Sequence, residues 1–147
     1  MSGVPKTFPI NHDDYHAKHI GRTADGRQFL LTNPFVAEHP GNPGCEYIAL
    51  YTFDAKGKLL EATIDSLGPR KLLDEAAASK LYGERLASLG QVKFTNIRIA
   101  PFKVVRDGVE FGLIPREPDD EDDEPAIEMQ PGNYMAFFEP WDGDYDT

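Results

Sequence analysis

The sequence is short of cysteine, of long apolar segments and of basic residues near its C-terminus. Cys45 is the only cysteine among 147 residues, so no disulfide can form within the chain. No apolar run approaches the roughly 20 residues needed to cross a bilayer. The opening MSGVPKTFPINHDD has no basic stretch followed by an apolar one, so we expect no secretory signal and a cytoplasmic protein.

Recognisable catalytic motifs are also missing. The chain has no glycine-rich phosphate loop, no GxSxG and no HExxH, and Cys45 has no identifiable partner histidine. These absences predict a protein without catalytic residues or a cofactor. A small metal-dependent or hydrolytic enzyme stays open as an alternative, because the carboxylates of Asp54, Glu61 and Asp65 could converge in space as acid and base.

Three of the four histidines lie close together near the N-terminus. His12, His16 and His19 have the spacing i, i+4, i+7, which on a helix would put three imidazoles along one face for a zinc ion. Against a helix, the Asp13-Asp14 pair favours a cap or turn, and no fourth ligand is suitably spaced. We therefore expect no metal site, and polar histidines in or next to an N-terminal arm, residues 1–17, laid over the surface.

The net charge of −10 is unevenly distributed. Residues 1–116 contain all 15 Lys and Arg against 13 Asp and Glu, whereas residues 117–147 contain 12 Asp and Glu and no Lys or Arg. This field repels phosphate backbones, so we expect no nucleic-acid ligand and a protein partner that is basic. The alternative is that the acidic residues only keep the chain in solution.

Length and composition favour a single domain over residues 1–147, since 40% hydrophobic residues are enough for one core. The predicted class is α+β: a largely antiparallel, twisted sheet of about seven or eight strands, with one long helix packed on one face. The helix is predicted at residues 69–89, a segment rich in Ala, Leu, Lys and Glu that ends before Gly90.

Two Asp-Gly dipeptides predict β-hairpins with two-residue turns. Around Asp107-Gly108, a two-residue turn sets Val104 opposite Phe111. The same register sets Phe102 opposite Leu113. Around Asp25-Gly26, such a turn sets Ile20 opposite Leu31.

Between the helix and the Asp107-Gly108 hairpin the apolar alternation changes phase twice. Val92 and Phe94 share one face, Ile97 and Ile99 share the other, and Pro101 precedes a return to the first phase. This pattern predicts a bulge followed by an edge or bend.

An exposed acidic loop is predicted at residues 115–125, PREPDDEDDEP, which holds seven acids and no apolar side chain other than proline. The chain then closes with EPWDGDYDT. Asp142, Asp144 and Asp146 resemble half of a calcium loop but lack its later ligands, and Trp141 is expected to anchor this end against the body. The candidate partner-binding residues are Asp119, Asp120, Glu121, Asp122, Asp123, Glu124, Trp141 and Asp142.

The segment IAPFKVVRDGVEFGLI together with the terminal EPWDGDYDT resembles small bacterial proteins known as formate hydrogenlyase regulatory proteins. The resemblance covers mainly the last third of the chain. It implies a protein that modulates a transcriptional activator of hydrogenase genes, and it transfers no catalytic or ligand residue. Together with the missing catalytic motifs, it predicts a non-enzymatic regulatory or protein-interaction protein. An acidic immunity-type inhibitor of a basic toxin or nuclease is the alternative. The matching positions are Phe102, Asp107, Gly108, Phe111, Gly112, Leu113, Trp141, Asp142, Gly143, Tyr145, Asp146 and Thr147.

Overall fold

The computed structural model describes residues 3–147 and places twelve strands and one α-helix there. Strands account for 43% of the chain and helix for 11%, and the sheets are antiparallel, which confirms the strand-rich α+β class. The prediction of one sheet with seven or eight strands is wrong, because the strands form three sheets of six, four and two strands. In chain order the elements are β1 (Phe8–Ile10), β2 (Ile20–Thr23), β3 (Gln28–Thr32), β4 (Phe35–Val36), β5 (Cys45–Phe53), β6 (Leu59–Gly68), α1 (Glu75–Ala87), β7 (Val92–Phe94), β8 (Ile97–Ile99), β9 (Phe102–Arg106), β10 (Val109–Arg116), β11 (Ala126–Gln130) and β12 (Ala136–Phe138).

Strand β5 pairs with three other strands of the six-stranded sheet. Ala49 pairs with Thr32 of β3 and with Ile64 of β6, so these two strands lie on opposite edges of β5. β4 pairs with the start of β5, and β2 and β7 continue the sheet beyond β3. Residues 48–53 of β5 are all buried, because both faces of this strand are covered.

The four-stranded sheet is a meander in the order β9, β10, β11, β12. Asp107 and Gly108 have φ angles of 52° and 77°, the two left-handed residues that a type I′ turn requires. Phe111 pairs with Val104, so the predicted register is confirmed.

The other Asp-Gly hairpin has a different register from the one predicted. Ile20 pairs with Leu30, one residue earlier than expected, which makes residues 24–26 a three-residue loop. Such a loop needs only one left-handed residue at its end, and Gly26 supplies it with φ 87°.

The two changes of phase after the helix mark changes of sheet rather than a bulge and an edge. β7 joins the six-stranded sheet, β8 pairs with β1, and β9 enters the four-stranded sheet. β1 belongs to the predicted arm, and its Phe8 and Ile10 are completely buried. The description of residues 1–17 as a surface arm is therefore wrong for this strand, whose apolar side chains the core requires. Met1 and Ser2 of that arm lie outside the described residues.

The helix is shorter than predicted. Residues Arg70–Leu72 form a 3-10 turn, and α1 begins after Asp74, whose carboxylate accepts a hydrogen bond from the Ala77 N–H at 3.0 Å. Gly90, with φ 74°, follows its C-terminal end. No helix among the described residues is long and apolar enough to span a membrane.

The six-stranded sheet is the middle of three layers. Side chains on one of its faces, including Leu30 and Tyr51, join a core cluster with Phe111 and other residues of the four-stranded sheet. Those on its other face, including Leu31 and Leu50, form a second cluster that α1 covers. The helix contributes no fully buried residue, so its packing leaves room at its edges.

Candidate functional site

The acidic loop is anchored at its base by one arginine. β10 runs through Pro115 and Arg116, so the loop comprises residues 117–125, two fewer than predicted. The guanidinium of Arg116 donates to Asp123 at 2.6 Å, to Glu128 at 3.0 Å and to the backbone oxygen of Glu124 at 3.2 Å. The hydrogen bond from Arg116 holds the pKa of Asp123 below its ordinary value.

Hydrogen bonds within the loop give it a defined shape. The Asp119 N–H donates to the carboxylate of Asp123 at 3.1 Å, and the Asp122 N–H donates to Asp120 at 2.9 Å. The carboxylate of Asp123 is therefore used in hydrogen bonds within the loop and at its base. The other five predicted partner-binding residues of the loop are exposed: Asp119, Asp120, Glu121, Asp122 and Glu124.

The C-terminal segment is fixed against the N-terminal part of the chain. The Asn11 backbone N–H donates to the Gly143 oxygen at 2.9 Å, and its side-chain amide donates to the Asp142 oxygen at 3.1 Å. Trp141 is partly buried against the larger core cluster, as expected for an anchor. The terminal motif is thus built into the fold, with the carboxylate of Asp142 left exposed.

The acidic loop and the C-terminal segment meet at one place on the surface. A shallow concavity of about 390 Å³ is lined by carboxylates from both, together with Phe138 and Pro140, and no Lys or Arg lines it. We call this concavity and the exposed loop residues the acidic face. Its lining carboxylates are Glu124, Glu139, Asp142, Asp144 and Asp146.

The three histidines do not form a joint metal site in the described residues. They lie outside any helix, and His12 stacks near Phe94, His16 on Tyr15, and His19 beside Tyr82. Within residues 3–147, no group of three His, Cys, Asp or Glu side chains is placed to hold a metal ion, and this includes the acidic face.

Two of the three carboxylates considered for an enzyme are bound to separate partners. Asp54 accepts backbone hydrogen bonds within the turn before β6, and Asp65 forms an ion pair with Arg85 at 2.7 Å. Glu61 is exposed on β6.

The sequence did not indicate a groove of about 470 Å³ between α1 and the six-stranded sheet, which we call the α1 groove. Its residues come from four distant parts of the chain, so no local motif could have predicted it. Among its lining residues there is no Lys, Arg or His. The lining includes Leu67, Leu73 and Tyr82, with Glu46 and Glu75. Tyr47 also borders it, but the Tyr47 ring packs against Phe111 on the other face of the sheet.

Neighbouring side chains fix one aromatic wall of the α1 groove. The Tyr82 hydroxyl is 2.5 Å from Nδ1 of His19, in a hydrogen bond whose direction depends on the imidazole tautomer. Burial raises the pKa of Tyr82 to about 12 and, with nearby Lys18 and His12, lowers that of His19. At neutral pH both groups are therefore neutral.

Comparison with protein-family models, with curated proteins and with solved structures finds no match to this chain. What binds at these surfaces must therefore be inferred from their own side chains.

Proposed function

We propose that this chain is a non-enzymatic regulatory protein that binds a basic protein partner on its acidic face. The observation that carries this proposal is the grouping of Glu124 with Asp142, Asp144 and Asp146 around one concavity that no Lys or Arg lines. Acidic residues that only kept the chain in solution would serve equally well if they were dispersed among basic ones.

The spread of the carboxylates favours a protein over an ion as the partner. No three of them are placed to coordinate one metal ion. Several cationic groups at separate positions, such as Lys and Arg side chains on a protein surface, fit this distribution better. The same negative charge repels the phosphates of nucleic acids.

The defined shape of the acidic loop and a nearby aromatic side chain also favour a protein partner. The contacts of Arg116 and Asp123 hold the loop in a defined conformation, so less conformational entropy is lost when a partner binds. Trp141 lies between Pro140 and Asp142, which both line the concavity. Its indole packs partly buried against the larger core cluster next to the concavity, and tryptophan is a residue type enriched at interface hot spots.

The resemblance to formate hydrogenlyase regulatory proteins supports a regulatory role for this binding. An immunity-type inhibitor would present a similar acidic surface to a toxin or nuclease. The identity of the partner distinguishes the two, since a transcriptional activator supports regulation and a toxin supports inhibition.

The test compares two variants that remove the same amount of charge. The first replaces Asp122, Glu124 and Asp142 by Asn or Gln, and the control replaces Asp14, Glu61 and Glu84, which are exposed elsewhere. Both variants and the unchanged protein are used to capture partners from the native lysate at about 0.1 M and about 1 M salt, where the screening length falls from about 10 Å to about 3 Å.

We expect the unchanged protein and the control to capture the same basic protein at low salt and to lose it at high salt. The acidic-face variant should capture little of it, and association kinetics should place most of the loss in the association rate. Equal capture by all three proteins at both salt concentrations contradicts the proposal.

A further inference from the structure

We propose that the α1 groove is a second binding site, one that takes a small organic cation. Its ligand would carry an amidinium, guanidinium or primary ammonium group on a flat apolar body. The groove volume of about 470 Å³ lies within the range of small-molecule sites, roughly 300–1,000 Å³.

The charge of the groove selects a cation. Glu46 and Glu75 both line it, and none of its lining residues is basic. The side chain of Glu46 is only 18% exposed, yet its one ion-pair partner among the described residues is Arg70, at 3.4 Å and 77% exposed. A carboxylate so enclosed and so weakly paired gains much from a cation that reaches it through the groove.

The Arg70 contact also indicates which cations fit. A guanidinium already reaches the Glu46 carboxylate, from the exposed 3-10 turn before α1. A ligand cation would either replace this loosely held guanidinium or bind a carboxylate oxygen beside it. Planar amidinium and guanidinium groups suit that arrangement because they donate two parallel hydrogen bonds.

One aromatic wall completes the site. Tyr82 lines the groove, and its hydroxyl contacts His19 outside it. The face of such a ring attracts cations, and a ring fixed in advance loses little entropy when a ligand binds.

Three compounds of nearly equal shape and different charge test the proposal: benzamidine, neutral benzamide and anionic benzoate. Each is titrated into the full chain up to about 10 mM, which detects affinities weaker than 1 mM. The readout is the chemical shift of the Tyr82 ring protons, with the Trp141 indole as a reporter for the acidic face.

We expect saturable shifts at Tyr82 with benzamidine, and binding weaker by roughly tenfold or more with benzamide and with benzoate, since a charge-assisted hydrogen bond is lost. Glu46→Gln should weaken benzamidine binding by a similar factor. The matched control Glu61→Gln, exposed on β6 and outside the groove, should leave it unchanged.

Two results would overturn the proposal. The first is equal affinity for benzamide and benzamidine, which would mean that the groove recognises shape and not charge. The second is the absence of saturable shifts at Tyr82, including the case in which only Trp141 responds. Both results are obtained with the unchanged protein, so neither requires that a variant folds. Neither result tests partner capture by the acidic face.

Discussion

The phenolic hydroxyl of Tyr145 donates a hydrogen bond to the carboxylate of Asp13 at 2.5 Å, across 132 residues of sequence. The same oxygen accepts a hydrogen bond from the His16 N–H at 3.0 Å. Burial raises the pKa of Asp13, but the hydrogen bonds from Tyr145 and from the N–H groups of Tyr15 and Ala17 together lower it below the ordinary 3.8. The C-terminal segment therefore holds the N-terminal segment in place through an ionised carboxylate.

Replacing Tyr145 by Phe should lower the free energy of unfolding by about 1–3 kcal/mol at neutral pH, because Asp13 loses a partly buried donor. The folded state depresses the pKa of Asp13. The stabilisation is therefore complete at pH values above 3.8 and is lost as the pH falls below that value. Urea unfolding at about pH 7 and about pH 3 measures the difference. Tyr15→Phe, 68% exposed, is the control. A difference between wild type and Tyr145→Phe that is independent of pH would contradict this role for Asp13.

Gly143→Ala should be much more destabilising than Gly108→Ala, although both glycines are left-handed, with φ 98° and 77°. A Cβ at Gly143 would collide with the side chain of Asn11, whereas one at Gly108 would have no atom within 4 Å. We expect about 1–2 kcal/mol from the backbone alone at Gly108 and a further 1–3 kcal/mol, roughly, from overpacking at Gly143. Equal losses in thermal or urea unfolding would show that the contact with Asn11 is unimportant.

Phe111→Ala should cost about 3–5 kcal/mol, since the ring is completely buried and packs against Tyr47. Val105 on β9 is 54% exposed, so Val105→Ala provides a control within the same hairpin and should cost less than about 1 kcal/mol. Chemical denaturation of both variants measures the two values. A loss below about 1 kcal/mol for Phe111→Ala would mean that the residue is not part of the core.

The protein should lose stability as the pH falls below neutral. Burial lowers the pKa of both His16 and His19 from the ordinary 6.5, so the folded state favours the neutral imidazoles. Their contribution to the free energy of unfolding is complete above pH 6.5. It is lost as the pH falls, because the unfolded chain then binds more protons than the folded chain. We expect the free energy of unfolding to fall less steeply between about pH 7.5 and pH 5.5 in a His16→Gln, His19→Gln variant than in wild type. Equal slopes would contradict this prediction.

Features set by neighbouring residues could be predicted from the sequence. The Asp107-Gly108 turn needs two left-handed residues in succession, and the alternation on either side of it leaves one register. The start of α1 also has a local signal that the prediction missed, since Asp74 is followed by Glu and three Ala and caps the helix through Ala77. The strand-rich class follows from the same period-two patterns.

Only the tertiary structure decided which segments meet. The phase changes between Val92 and Phe102 were visible in the sequence, but the sheet that each strand joins depends on pairing with residues far along the chain. The sequence likewise contained the acidic residues without indicating that Glu124 and Asp142 line one concavity. No local sequence pattern predicted the α1 groove, because Glu46 and Tyr82 come together only when α1 packs on β5. Turns and helix caps depend on backbone geometry within a few residues, whereas sites depend on long-range packing, which no local pattern encodes.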